Sequence, residues 1–187
     1  MKKQLLFAAA FMGLSGFAQA GVEVSGVEVP DSITPQETLL KFNGAGVRSK
    51  FFVDLYVGSL FTTAKVQDGA SVLNSDQPAA IRLNVTSGMI TSEKMTNALN
   101  EGFEKATGGD TSKIDDSIKA FIAVFDEQIK EGDQFTFLSV PGHGITSFKN
   151  GKKLSVTGDD IFRKAVLGIW LGQNPTDEDL KEDMLDS

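Results

Sequence analysis

The sequence predicts an α+β fold, and three observations carry that reading. Stretches of alternating apolar and polar residues come first, as half-buried strands require. Two segments with apolar residues at helical spacing follow, and then three more alternating stretches joined by tight-turn dipeptides. Two further helical segments close the chain. Strands, helices, strands and helices in blocks argue for an antiparallel sheet with helices gathered on it, not for a doubly wound parallel sheet.

In order, "VEVSGVEVPDSI" (22–33) reads as short edge strands or a hairpin, and "ETLLKFNGAG" (37–46) as a strand ended by a glycine corner. From Phe51 to Phe61 the odd positions are nearly all apolar and the even ones mixed, predicting a strand with one face buried. In "AAIRLNVTS" (79–87), Ile81, Leu83 and Val85 point inward while Arg82, Asn84 and Thr86 point out. A helix begins near "TSEKM", capped by Thr91 or Ser92, with Met95, Leu99 and Phe103 on its apolar stripe. A second carries Ile114, Ile118, Phe121, Ile122, Phe125 and Ile129. Three antiparallel strands follow in "DQFTFLSV", "GITSFKN" and "KKLSVTG", turned by Pro-Gly and Asn-Gly. "DDIFRKAVLGIWLG" and "TDEDLKEDML" are the closing helices.

Before all of these stands "MKKQLLFAAAFMGLSGFAQA", with two lysines, a short apolar run and an Ala-x-Ala ending. This is the pattern of a cleaved secretory signal over residues 1–20, leaving 21–187 as one exported domain without a membrane anchor. The chain resembles bacterial exported proteins, and that resemblance implies the periplasm. Losing Lys2 and Lys3 with that leader takes the formal charge from −7 to −9. Bulk charge of that sign disfavours nucleic acid and anionic membranes as partners. The chain has no cysteine and one histidine, His143, in the turn-like "PGHG". Disulfides, thiolate chemistry and His-pair metal sites are therefore excluded, and no metal or cofactor is expected. "GAGVRS" lacks the third glycine of a dinucleotide loop and precedes a strand instead of a helix. The acidic stretch 176–186 reads as a solvated helix face.

Arg48 is the residue that calls for a partner, because it enters an apolar strand where an unpaired charge is costly. Either it snorkels to water beside a core tyrosine, Tyr56, or it meets an anion. A straight strand through both would set them about 26 Å apart, so a bend or bulge must intervene if they share a site. Lys94 and Arg163 sit in early helical turns, where a cation opposes the helix dipole, which also favours an anionic partner. Trp170 reads as packing.

Three stretches, "NGAGVRSKFFVDLYVGSLF", "SEKMTNALNEGFEKA" and "FRKAVLGIWLGQNPTDEDLKEDML", together resemble the chalcone isomerase family, in its bacterial chalcone isomerase-like branch. The resemblance runs from about Leu39 to the end. It implies an open-faced β-sandwich, a large antiparallel sheet with a layer of helices on one face and a ligand cleft between them. It also implies that Arg48 is the family arginine that meets an anionic oxygen, and that Lys94 matches a family lysine. The family's ketone-polarising tyrosine falls on Thr91, its threonine on Tyr56, and its later serine or threonine on Arg163. Those departures remove a phenolic donor that cyclisation of a chalcone needs. The expected function is therefore non-catalytic binding of a fatty acid or phenolic acid by a monomer, with Arg48, Tyr56, Lys94 and Arg163 as ligand-binding residues. The alternatives are an intramolecular lyase using Arg48, Tyr56, Thr91 and Lys94, or a structural protein with a vestigial cleft.

Overall fold

A computed structural model describes residues 21–185; the leader expected at 1–20 lies outside the described residues. A small hairpin, β1 (Gly21–Val24) and β2 (Val27–Pro30), precedes a seven-stranded sheet. That sheet contains β3 (Ser32–Ile33), β4 (Leu40–Lys50), β5 (Val53–Thr62), β6 (Ala79–Val85), β7 (Gln134–Val140), β8 (Gly144–Lys149) and β9 (Lys152–Thr157). The strands lie in chain order and every neighbouring pair is antiparallel. Among the described residues five α-helices accompany the sheet: α1 (Gly69–Leu73), α2 (Ser92–Thr107), α3 (Asp115–Ile122), α4 (Asp160–Leu171) and α5 (Glu178–Leu185). The α+β expectation holds, with a strand block on either side of α2 and α3.

The main core lies between the helices and one face of the sheet. Phe103, Phe121, Phe125, Phe135, Phe137 and Phe162 are all essentially excluded from water there. Their rings meet in tilted, edge-on and stacked pairs, Phe125 tilted against Phe135 at 4.9 Å and Phe103 stacked on Phe162 at 5.7 Å. Ile118 is buried with them as its helical spacing predicts, as are Val166 and Ile169 of α4, and Ile122 is half-buried. The opposite face carries its own apolar cluster, including Leu40, Val57, Phe61, Ala80, Leu138 and Phe148. Arg82 is on that face and is not the exposed residue its alternation suggested. Its Nε donates to Thr136 Oγ1 at 3.1 Å, and its guanidinium lies 5.4 Å from the centre of the Phe61 ring.

Several boundaries differ from the sequence reading, each for a physical reason. The helix expected through Ile129 ends at Ile122 and tightens into a 3-10 turn over Ala123–Phe125. No glycine corner ends β4, which continues past a register shift at Phe42 and Gly44 and through Gly46 to Lys50. Those glycines leave room for α5. A Cβ on Gly44 would collide with the backbone oxygens of Asp183 and Met184, and one on Gly46 with the Asp183 side chain. The glycines are thus a docking platform for a helix. Asn43, fully buried beside them, fastens the contact: its amide donates to the carbonyls of Met184 and Val66, both at 2.9 Å.

Phe51 and Phe52 do not belong to β5. They form a two-residue hairpin turn between β4 and β5, with φ of 51° and 65°. Positive φ at both central positions is the type I′ pattern, which ordinarily selects Asn and Gly.

Candidate functional site

The hairpin settles the distance between Arg48 and Tyr56. They are direct cross-strand partners, Arg48 on β4 opposite Tyr56 on β5, beside a register shift at Arg48 and Ser49. Cross-strand neighbours have Cα atoms about 4.5–5.5 Å apart, so one ligand head group can reach both. The chain reverses between them, which is why an extended-strand estimate placed them so far apart.

Both residues line a cavity of about 620 Å³ between the sheet and α2. This falls within the range of about 300–1,000 Å³ found for small-molecule sites. Its apolar lining includes Val53, Leu55, Ile90, Met95, Leu99 and Ile169. Lys50, Phe51, Met89 and Lys94 also border it, as does Trp170. A greasy compartment with Arg48 and Tyr56 side by side on one strand pair, and Lys94, Asn97, Glu101 and Lys105 along α2, is suited to an amphipathic molecule.

The anion that Arg48 calls for is present in the protein itself. Its Nη1 donates to Asp177 Oδ2 in a largely shielded ion pair, and weakly to the Ser49 carbonyl at 3.4 Å. Asp177 precedes α5, and its other oxygen accepts from the Leu180 backbone N–H at 2.9 Å. The acidic tail is therefore not simply a solvated face: one of its carboxylates is fixed against the cleft by the helix that the glycine platform docks. This contact was not read from the sequence, since 129 residues separate the partners.

Tyr56 is buried, and its hydroxyl oxygen accepts from Trp170 Nε1 at 3.1 Å. Trp170 does more than pack. Burial pushes the Tyr56 hydroxyl above its ordinary pKa of 10.0, against opposing pulls from the Trp170 hydrogen bond and the Arg48 charge. The phenol is consequently neutral at physiological pH, a proton donor held next to a guanidinium. Asp183, on α5, has its carboxyl pushed up by burial and by the nearby charges of Asp179 and Asp177.

Lys94 lines the same cavity and bonds back to the Met89 carbonyl at 3.1 Å. Thr91 caps α2: its Oγ1 accepts from the Lys94 backbone N–H at 3.2 Å, and it is not among the residues lining the cavity. Arg163 does not join the others. It is 3% exposed, and its Nε donates to Asp160 at 2.7 Å. Its Nη2 donates to the Ser75 carbonyl at 3.1 Å and its Nη1 to Ser139 Oγ at 3.4 Å. Those bonds tie α4 to β7 and to the segment after α1, so the guanidinium is spent within the fold. His143 stands exposed in its turn, and among the described residues no cluster of His, Asp or Glu is arranged to hold a metal ion.

The family model described as chalcone isomerase-like matches residues 21–186. This chain belongs to the chalcone isomerase-like family. A curated relative of this chalcone isomerase-like protein is fatty-acid-binding protein 1 of Arabidopsis thaliana, 23% identical over 121 residues. That match takes in 62% of this chain and 43% of the relative, so the chain spans less than half the relative's length. Among solved structures, the crystal structure of an Arabidopsis thaliana fatty-acid binding protein superposes with a TM-score of 0.64 at 18% identity. It covers 87% of this chain and 93% of that one, which shows that the fold is shared.

Proposed function

We propose that this chalcone isomerase-like protein binds a fatty acid, or a phenolic acid of similar size, and releases it unchanged. The observation that carries the reading is the pairing of Arg48 with Tyr56 on the wall of a largely apolar cavity. A carboxylate placed there accepts from a guanidinium and from a neutral phenol, while the alkyl chain lies among Leu55, Met95, Leu99 and Ile169. The printed names of the two relatives point to the same ligand class. Thr91 argues against cyclisation, because its hydroxyl oxygen serves the α2 cap and the residue does not line the cavity. The leader-like first twenty residues support export, with the binding carried out in the periplasm.

Asp177 gives the site its second property. An incoming carboxylate competes with Asp177 for Arg48, so the ion pair keeps the guanidinium from standing unpaired in the empty cleft. Native mass spectrometry of the protein purified from its own cells is the test. A co-purifying mass equal to a fatty or phenolic acid is expected, and chalcone incubated with the protein should cyclise no faster than it does alone. Purification empty, followed by no saturable uptake of a long-chain acid, would sink the reading.

A further inference from the structure

Phe51 and Phe52 are 85% and 107% exposed, at the tip of the β4–β5 hairpin that carries Arg48 and Tyr56. Two adjacent phenylalanines open to water are unfavourable for solubility, and both occupy φ values that bulky side chains rarely adopt. Packing within the chain explains neither residue. The turn type calls for Asn-Gly, and the sequence places Phe-Phe instead. A local rule broken without a compensating contact marks a place where function has outweighed the fold.

The surroundings say what the tip meets. Phe51 lines the mouth of the ligand cavity together with Met89, which is 53% exposed, and with Lys50 and Lys94. Lys50 stands 5.7 Å from the centre of the Phe51 ring. Of the charged residues lining the cavity four are basic and one, Glu101, is acidic, in a chain whose net charge is −7. Asp54, just beyond the tip, is engaged by the hydroxyls of Ser25 and Ser49 at 3.0 and 2.7 Å. Exposed aromatic rings flanked by lysines fit one partner well: a bilayer surface with anionic head groups, rings at the acyl boundary and ammonium groups at the phosphates.

We propose that the Phe51–Phe52 tip docks this protein on an anionic membrane, with the cavity mouth facing the lipid. The bulk negative charge repels such a surface, so docking is confined to this one corner and fixes the orientation. A fatty acid would then pass between bilayer and cleft without crossing water. That last step rests on the ligand reading above, whereas the docking does not.

Co-sedimentation with vesicles separates the two. The full mature chain is mixed with phosphatidylcholine vesicles containing about a third phosphatidylglycerol, a composition with a negative surface potential. Wild type should sediment with them and the Phe51→Asn/Phe52→Gly variant should partition about ten-fold less, having lost two phenyl rings. That variant takes the residues the turn prefers, so its thermal midpoint should match or exceed wild type. Lys50→Glu should also weaken sedimentation. Equal partitioning of the double variant, or no sedimentation of wild type, overturns the proposal. A concentration-dependent dimer that forms without vesicles and disappears in the double variant also overturns it, naming a second copy as the occupant. The single variant Phe52→Gly, whose residue does not border the cavity, should also partition less while titrating with a long-chain acid in solution as wild type does. If no acid binds while wild type still sediments, the ligand reading fails and the docking stands.

Discussion

Arg48 and Arg163 are both arginines drawn largely out of water, and their settings differ in a way that explains their roles. Arg163 uses all three guanidinium nitrogens on Asp160, Ser139 and the Ser75 carbonyl, at 3% exposure. Arg48 holds Asp177 and the Ser49 carbonyl through a single nitrogen and borders a cavity. A guanidinium whose donors are all matched inside the fold has nothing to offer a ligand. One that is matched on one side and faces an apolar space beside a neutral phenol keeps donors to give. The comparison teaches that burial alone does not mark a binding arginine; the count of donors still uncommitted does.

The largest effect that sharpens this comparison is on stability. Arg163→Met should destabilise the protein by about 2–4 kcal/mol, since it leaves the Ser75 carbonyl and Ser139 hydroxyl buried without their donor. Denaturant unfolding measures it, and the folded variant should bind a long-chain acid as wild type does. A variant as stable as wild type that has lost binding would break the comparison by returning Arg163 to the site.

A smaller effect is expected at the partner of Arg48. Asp177→Asn keeps an oxygen for the Leu180 N–H but removes the anion that competes for Arg48. Affinity for a carboxylate ligand should rise several-fold, equivalent to about 1 kcal/mol, with a stability change of similar size or less. Calorimetric titration decides it. Weaker binding would mean that Asp177 positions the arginine and does not compete with the ligand.

Much of this was legible in the chain itself, and the exceptions have physical causes. Helical periodicity placed Ile118, Phe121 and Phe125 in the core, because burial of one stripe is what that spacing encodes. A cap at Thr91 or Ser92 was legible, since a hydroxyl at the start of a helix has a local partner, and Thr91 takes the role. The β4–β5 turn was not, because Phe-Phe carries none of the signals that turn chemistry supplies. Missing that turn cost the Arg48–Tyr56 pairing and stretched two cross-strand neighbours into opposite ends of a strand. Arg82 was misread because alternation assumes one solvated face, whereas this sheet carries an apolar cluster on each side. The Arg48–Asp177 and Trp170–Tyr56 contacts join residues 129 and 114 positions apart, a separation that local patterning does not encode. The glycine corner read in "NGAGVR" is a docking surface instead: its glycines make room for α5 and its asparagine bonds to the same helix.

The central claim is that Arg48 reads the charge of a bound carboxylate, and one titration tests it most directly. A long-chain acid and its neutral methyl ester are titrated into wild type and into Arg48→Ala. The substitution should weaken binding of the free acid by about 1.5–3 kcal/mol, or roughly ten-fold to a hundred-fold and more, the usual worth of a hydrogen bond to a charged group. The ester, which lacks the charge, should bind both proteins about equally. Free acid bound as tightly by Arg48→Ala as by wild type would contradict the account, leaving Arg48 as no more than the structural partner of Asp177.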